Sequence, residues 1–199
     1  MIVIDWEFTW LDHKTHSLVS LWAVDFLNPE RQFYAECRIW EWATYNKEAL
    51  EINGFSVDDI NDKNKMSLKD LVESFDEFLK TCSTPQVLIG QNPKTDIDFL
   101  KESYEKSWIV YPLGHRSIDM HSVVFMKHLQ LGKDILIEKW NYKINLDEAL
   151  RFVWIHGWEP RPHNALTWAK CEAEVLSRVL YGKKLLPEFE DSDVPEYLN

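Results

Sequence analysis

The chain has 199 residues, 45% of them hydrophobic and 28% charged, with a formal net charge of −11; this is the composition of an ordinary globular protein, at a length that suits one well-cored domain. The negative balance excludes long-range electrostatic capture of duplex nucleic acid, which relies on Lys and Arg to neutralise phosphates, but it leaves room for a small cleft that handles a chain end through cations. No run approaches the roughly 20 apolar residues that span a bilayer, and Cys37, Cys82 and Cys171 are too widely spaced for a disulfide framework or a paired metal motif, so a cytoplasmic protein with reduced thiols and no membrane partner is expected.

Residues 2–5, 17–26 and 31–39 are rich in Val, Ile, Leu, Phe and Tyr, with turn residues in LNPER between the last two. This predicts three consecutive strands in an antiparallel meander. Strand side chains alternate faces, so Asp5 and Glu7 at the end of the first strand point the same way, and two such carboxylates repel unless a cation joins them. A hard divalent ion such as Mg²⁺ suits oxygen ligands; the plain alternative for a lone Asp-x-Glu is a solvated acidic turn. Phe8 and Leu11 could stack on or wedge against a terminal base, a contact worth about 1–3 kcal/mol per base for aromatics. Packing of Phe8 in the core is an equal reading.

Residues 67–82 place apolar side chains at Leu68, Leu71, Val72, Phe75, Phe78 and Leu79, which predicts an amphipathic helix capped by Ser67. A strand over 86–90 follows. It leads into IGQNPKTDIDFL, residues 89–100, where Asn92 and Asp96 flank a turn and Phe99 and Leu100 anchor a helix over 95–106. Asp96 is either a metal ligand or a helix-start acid favoured by the macrodipole. A helix over 117–131 with Asp119 as its cap comes next, then helices over 146–155 and 163–181. His163 opens the last of these, which bears Glu172 and Glu174 further along. Strands first, then alternating helix and strand, indicate an α/β layered domain with a mixed sheet. The acidic stretch after Gly182 contains two prolines and is predicted to be extended or poorly ordered, giving a domain over 1–182 and a tail over 183–199.

In this order the three polar stretches resemble the DEDD superfamily of 3′-5′ exonucleases, in its histidine-bearing branch (DEDDh, DnaQ-like), over residues 1 to about 182. DWEFTW, residues 5–10, is similar to that family's Asp-x-Glu-Thr-Thr-Gly. QNPKTDIDFL is similar to His-Asn-x-x-x-Asp-x-x-Phe-Leu, with Gln91 in place of the His. His163 matches the general base of the third motif, but five positions on, where that motif has Asp, this chain has Trp168. Glu172 lies about one helical turn beyond Trp168 on the same face and is one methylene longer than Asp; it is the expected replacement, and Glu174 a poor one. FYAECRIWEWA, EALEINGF, RSIDMHS and PHNALT also resemble a prokaryotic subgroup whose third motif lacks the same Asp.

The resemblance implies a ribonuclease H-like, three-layer α/β/α fold around a central mixed five-stranded sheet. It implies two ions, Mg²⁺ or Mn²⁺, held by Asp5, Glu7, Asp96 and Glu172, with His163 as general base and Phe8, Leu11 and Asn92 touching substrate. The implied activity is phosphodiester hydrolysis from the 3′ end of single-stranded DNA or short RNA. The alternative, from a different class, is a catalytically silent nucleic-acid-binding or scaffold domain that keeps the fold.

The chain has ten Trp and six Gly, where average usage of about 7% would give roughly fourteen Gly in this length. Trp10 stands at the Gly of the first motif, and the resemblance implies glycine also at the positions of Trp22, Trp42, Trp154 and Trp168. Such sites need φ > 0 or close backbone approach, both of which an indole resists. Several of these tryptophans, Trp6 among them, are therefore expected to stand over glycine codons read through the wrong translation table, with Trp40 genuine.

Overall fold

The computed structural model describes residues 1–135, 137–138, 141–142, 144–156 and 165–199. Strands β1 (Ile2–Phe8), β2 (Leu18–Asp25) and β3 (Gln32–Glu36) form the predicted antiparallel meander. After helices α1 (Lys47–Asn53), α2 (Val57–Asn61) and α3 (Leu68–Thr81), the chain returns as β4 (Leu88–Gly90), runs through α4 (Lys94–Lys106), and adds β5 (Ser117–Asp119). β4 pairs in parallel with β1, and β5 in parallel with β4, giving the order β3-β2-β1-β4-β5. The sheet is mixed and five-stranded, as expected.

Alternation along β1 divides the core. Ile2, Ile4 and Trp6 pack with Leu71, Val72 and Phe75 of α3 and with Leu100 and Tyr104 of α4. Val3, on the opposite face, packs with side chains of α5 (Met120–Gln130), α6 (Leu146–Phe152) and α7 (Ala165–Tyr181). Helices therefore cover both faces in three layers. No helix among the described residues is long and apolar enough to cross a membrane.

Several elements depart from the sequence reading. β1 continues to Phe8, so Asp5 and Glu7 lie inside the paired strand, opposite Trp22 and Ser20, rather than at its mouth. The β1–β2 ladder slips by one residue between Glu7 and Phe8, the kind of bulge that re-aims side chains beside active sites. Residues 117–119 are strand, not helix; the helix begins at Met120, and Asp119 caps it as expected. Helices α1 and α2 were not foreseen, since five to seven residues hold too few turns for periodicity to register, although Asn46 and Ser56 cap them through their side chains. A short hairpin of β6 (Ile137–Glu138) and β7 (Asn141–Tyr142) was also missed.

The stretch after Gly182 is not extended. It forms 3₁₀ turns at Pro187–Phe189 and Glu196–Leu198 and buries Leu186, Phe189 and Leu198 in the α5–α7 core. Arg178 and Glu174, both fully buried, hold it there. Arg178 Nε donates to Glu174 Oε1 at 2.7 Å, and its guanidinium also donates to the carbonyls of Val153, Phe189, Ser192 and Asp193. Glu174 Oε2 accepts from the amides of Leu185 and Leu186, both at 2.9 Å. The acidic composition concealed three apolar anchors.

Candidate active site

Asp5 and Glu7 share the face of β1 that looks toward α7, and α7 brings Glu172 against them, 2% exposed. Asp96 sits in the first turn of α4, at the carboxyl end of β4. Their electrostatics show that the four acids are gathered. Burial, and then the charges of Glu172, Glu7 and Asp96, hold Asp5 well above the usual carboxylate range. Burial, with Asp96 beside it, pushes Glu7 up to about 8. Burial raises Asp96 to about 7. Glu172 is raised by burial and then by Asp96, against the lowering effect of one backbone hydrogen bond.

That bond comes from the Gln91 amide, which donates to Glu172 Oε1 at 3.2 Å. Glu172 Oε2 and Gln91 Oε1 are both buried with no hydrogen-bond partner. Next in sequence, the Asn92 amide donates to Asp119 Oδ1 at 3.0 Å. Asn92 has φ +53°, a left-handed conformation that Asn tolerates better than most residues. One left-handed turn thus presents adjacent amides to acids on two different elements, Glu172 on α7 and Asp119 at the end of β5. Gly90 precedes it because the strands approach closely there: a Cβ on Gly90 would lie 3.0 Å from the Ile4 carbonyl and 3.7 Å from Glu172 Oε2. The sequence reading missed the roles of Gly90, the Gln91 amide and Asp119; a glycine ending a strand before a polar pair was the available signal.

The remaining expected residues divide. Phe8 stacks on buried Phe99 with ring centroids 3.9 Å apart, so it is anchored to α4 while still partly exposed. Leu11 is 68% exposed just past β1, and Asn92 is exposed. His163 lies outside the described residues. Glu174 is committed to Arg178, away from the acids. Among the described residues, no three His, Cys, Asp or Glu side chains form a group arranged to hold a metal ion. The donor set nevertheless fits a hard divalent cation: it is all oxygen, mutually repelling, buried at Glu7 and Glu172 and half-buried at Asp5 and Asp96, and includes one carboxylate oxygen with nothing to bond.

The fold is that of the DEDDh, DnaQ-like 3′-5′ exonucleases. The nuclease domain of 3′hExo, a DEDDh family member bound to rAMP, superposes with a TM-score of 0.69 at 16% identity, covering 93% of both chains. The cell-death related nuclease CRN-4 gives 0.72 at 14% identity, over 92% of this chain and 64% of that one. E. coli exonuclease I in complex with a dA16 oligonucleotide gives 0.66 at 11% identity, over 89% of this chain. This chain thus spans 64% of CRN-4 and 40% of exonuclease I. No protein-family model and no curated protein sequence matches it.

Proposed function

We propose that the protein is a cytoplasmic, metal-dependent 3′-5′ exonuclease that hydrolyses phosphodiester bonds at the 3′ end of single-stranded DNA or short RNA. What supports this reading is that Asp5, Glu7, Asp96 and Glu172, from three separate elements, lie close enough for their charges to act on one another, with Glu7 and Glu172 buried and Asp5 and Asp96 half-buried. It lies at the carboxyl ends of the parallel strands, where open α/β sheets place their ligands. In this reading the four acids would hold two divalent ions, Mg²⁺ or Mn²⁺, whose chemistry there would be to activate a water and to stabilise charge on the leaving oxygen. Asp5 is central, because it senses all three other acids. The Gln91 amide holds one oxygen of Glu172 and leaves the other buried and free to accept a cation. His163 takes the proton of the attacking water, and Phe8, Leu11 and Asn92 contact the terminal nucleotides. The oligonucleotide bound to exonuclease I and the rAMP bound to 3′hExo support a nucleic-acid chain end as substrate.

The second reading, a catalytically silent nucleic-acid-binding or scaffold domain, is favoured by Trp168 at the position of the motif's Asp and by the absence of a ready-made cation group among the described residues. One experiment separates the two. The purified protein is incubated with 3′-labelled and 5′-labelled DNA and RNA oligomers in Mg²⁺, Mn²⁺ or EDTA. Stepwise loss from the 3′ end that EDTA stops is the expected result; oligomer binding without shortening in either metal selects the silent domain.

A further inference from the structure

Four non-glycine residues among those described have φ > 0, and three of them are tryptophans: Trp42 at +74°, Trp108 at +59° and Trp154 at +61°. For a bulky L-residue this region is a genuine outlier, because its Cβ crowds the neighbouring carbonyl. All three indoles are exposed, at 85%, 96% and 43%, so core packing does not explain why they are held there.

The chain contains its own comparison. After α1, Gly54 donates to the Glu51 carbonyl and Phe55 to the Leu50 carbonyl; after α5, Gly132 donates to Leu129 and Lys133 to His128. These are Schellman endings, with glycine at the left-handed position that follows the helix, at φ +74° and +62°. The endings of α4 and α6 repeat the pattern bond for bond. Trp108 donates to Glu105 and Ile109 to Tyr104; Trp154 donates to Arg151 and Ile155 to Leu150. Two helices stop on glycine and two stop on tryptophan in the same conformation. Trp42 is the third case: the Ala43 amide donates to the Trp40 carbonyl, placing Trp42 third in a four-residue turn, where φ near +80° calls for Gly.

We infer that positions 42, 108 and 154 are glycine in the protein made by its native host, and that the tryptophans arise where UGA codons, read there as glycine, are translated as tryptophan. The two amino acids have codons one base apart, and some bacterial lineages assign UGA to glycine. Ten Trp against six Gly is the compositional trace of the same exchange. The inference does not depend on the proposed activity, and it does not extend by this criterion to every tryptophan. Trp6 and Trp22 are buried in the two cores, and they, Trp10 and Trp168 have no left-handed backbone. Trp40 donates its indole N–H to the His16 carbonyl and lies under the Lys106 ammonium, contacts that a glycine would abolish.

The test has two arms. In the coding DNA and in peptides from the native host, UGA codons and glycine masses at 42, 108 and 154 are expected; UGG codons or tryptophan masses there overturn the inference. In the purified protein as written, Trp42→Gly, Trp108→Gly and Trp154→Gly should each raise the Tm by roughly 2–4 °C by relieving left-handed strain, while Trp40→Gly should lower it. Should Trp108→Gly and Trp154→Gly lower the Tm as Trp40→Gly does, the strain argument fails.

Discussion

Gln91 and Glu172 meet through one backbone hydrogen bond: the Gln91 amide donates to Glu172 Oε1 at 3.2 Å, while Oε2 stays buried without a partner. A carboxylate held by one oxygen and free at the other is suited to receive a cation. It also separates two roles that one substitution can test. Glutamine at 172 keeps an acceptor for the Gln91 amide but removes the charge. Glu172→Gln should therefore fold normally and lose at least about hundredfold in kcat/KM, since several kcal/mol of charge stabilisation go with the ligand and each 1.4 kcal/mol is tenfold. Near-wild-type turnover in Glu172→Gln would remove Glu172 from the cation site.

The acid cluster should make the stability of the metal-free protein depend on pH in an unusual direction. Glu7 is raised to about 8 from an ordinary 4.5, and Asp96 to about 7 from 3.8, both first by burial. Between about pH 4 and pH 8 the folded state therefore holds protons that the unfolded chain has released, and stability falls as pH rises through that window. Below it both states are protonated and the contribution is flat. In EDTA, the Tm should drop by at least several °C from pH 5 to pH 8.5. Saturating Mg²⁺ or Mn²⁺ should remove most of the slope by neutralising the ionised acids. A Tm in EDTA that rises with pH would contradict a buried, mutually repelling cluster.

Much of this arrangement could be read from the residues. The meander, the helix capped by Ser67 and the cap at Asp119 followed from apolar periodicity and short-range capping, which are local properties. The shared face of Asp5 and Glu7 followed from strand alternation. What stayed hidden depends on contacts distant in sequence: the extension of β1 is set by pairing with β2, and the docking of residues 183–199 is set by Arg178 and Glu174. The hold of Asp119 on Asn92 spans 27 residues, so no local pattern reports it. Trp42 and Trp154 were expected at glycine positions and have positive φ; Trp108 was not foreseen, and only its backbone reveals it.

Arg178 should be the residue on which docking of the C-terminal segment depends. It is fully buried, pairs with Glu174, and satisfies carbonyls from both α6's exit and the 3₁₀ segment. Removing one member of a buried pair strands the other charge at a cost of about 3–5 kcal/mol, which for a chain of this size lowers the Tm by roughly 10 °C or more. Arg178→Ala should also expose the chain after Gly182 to limited proteolysis. Unchanged Tm and intact protease resistance would show that the apolar anchors Leu186, Phe189 and Leu198 suffice.

Asn92 provides a finer test of the loop that holds Glu172. Its φ of +53° is open to Gly and tolerable for Asn, but a β-branched side chain there is strained by about 1–2 kcal/mol. Asn92→Gly should keep the turn, the Gln91 amide and the Asp119 contact, so any loss reports only the Asn side chain's own contact with substrate and should appear in KM. Asn92→Val should relax the turn and draw the Gln91 amide away from Glu172 Oε1. Glu172 would then be less well placed for a cation, and the Mg²⁺ concentration giving half-maximal activity should rise roughly tenfold, the equivalent of about 1.4 kcal/mol, while kcat at saturating Mg²⁺ stays within a few fold of wild type. Equal metal requirements in Asn92→Gly and Asn92→Val would show that the left-handed turn does not position Glu172, and would leave the Gln91 hydrogen bond a structural contact only.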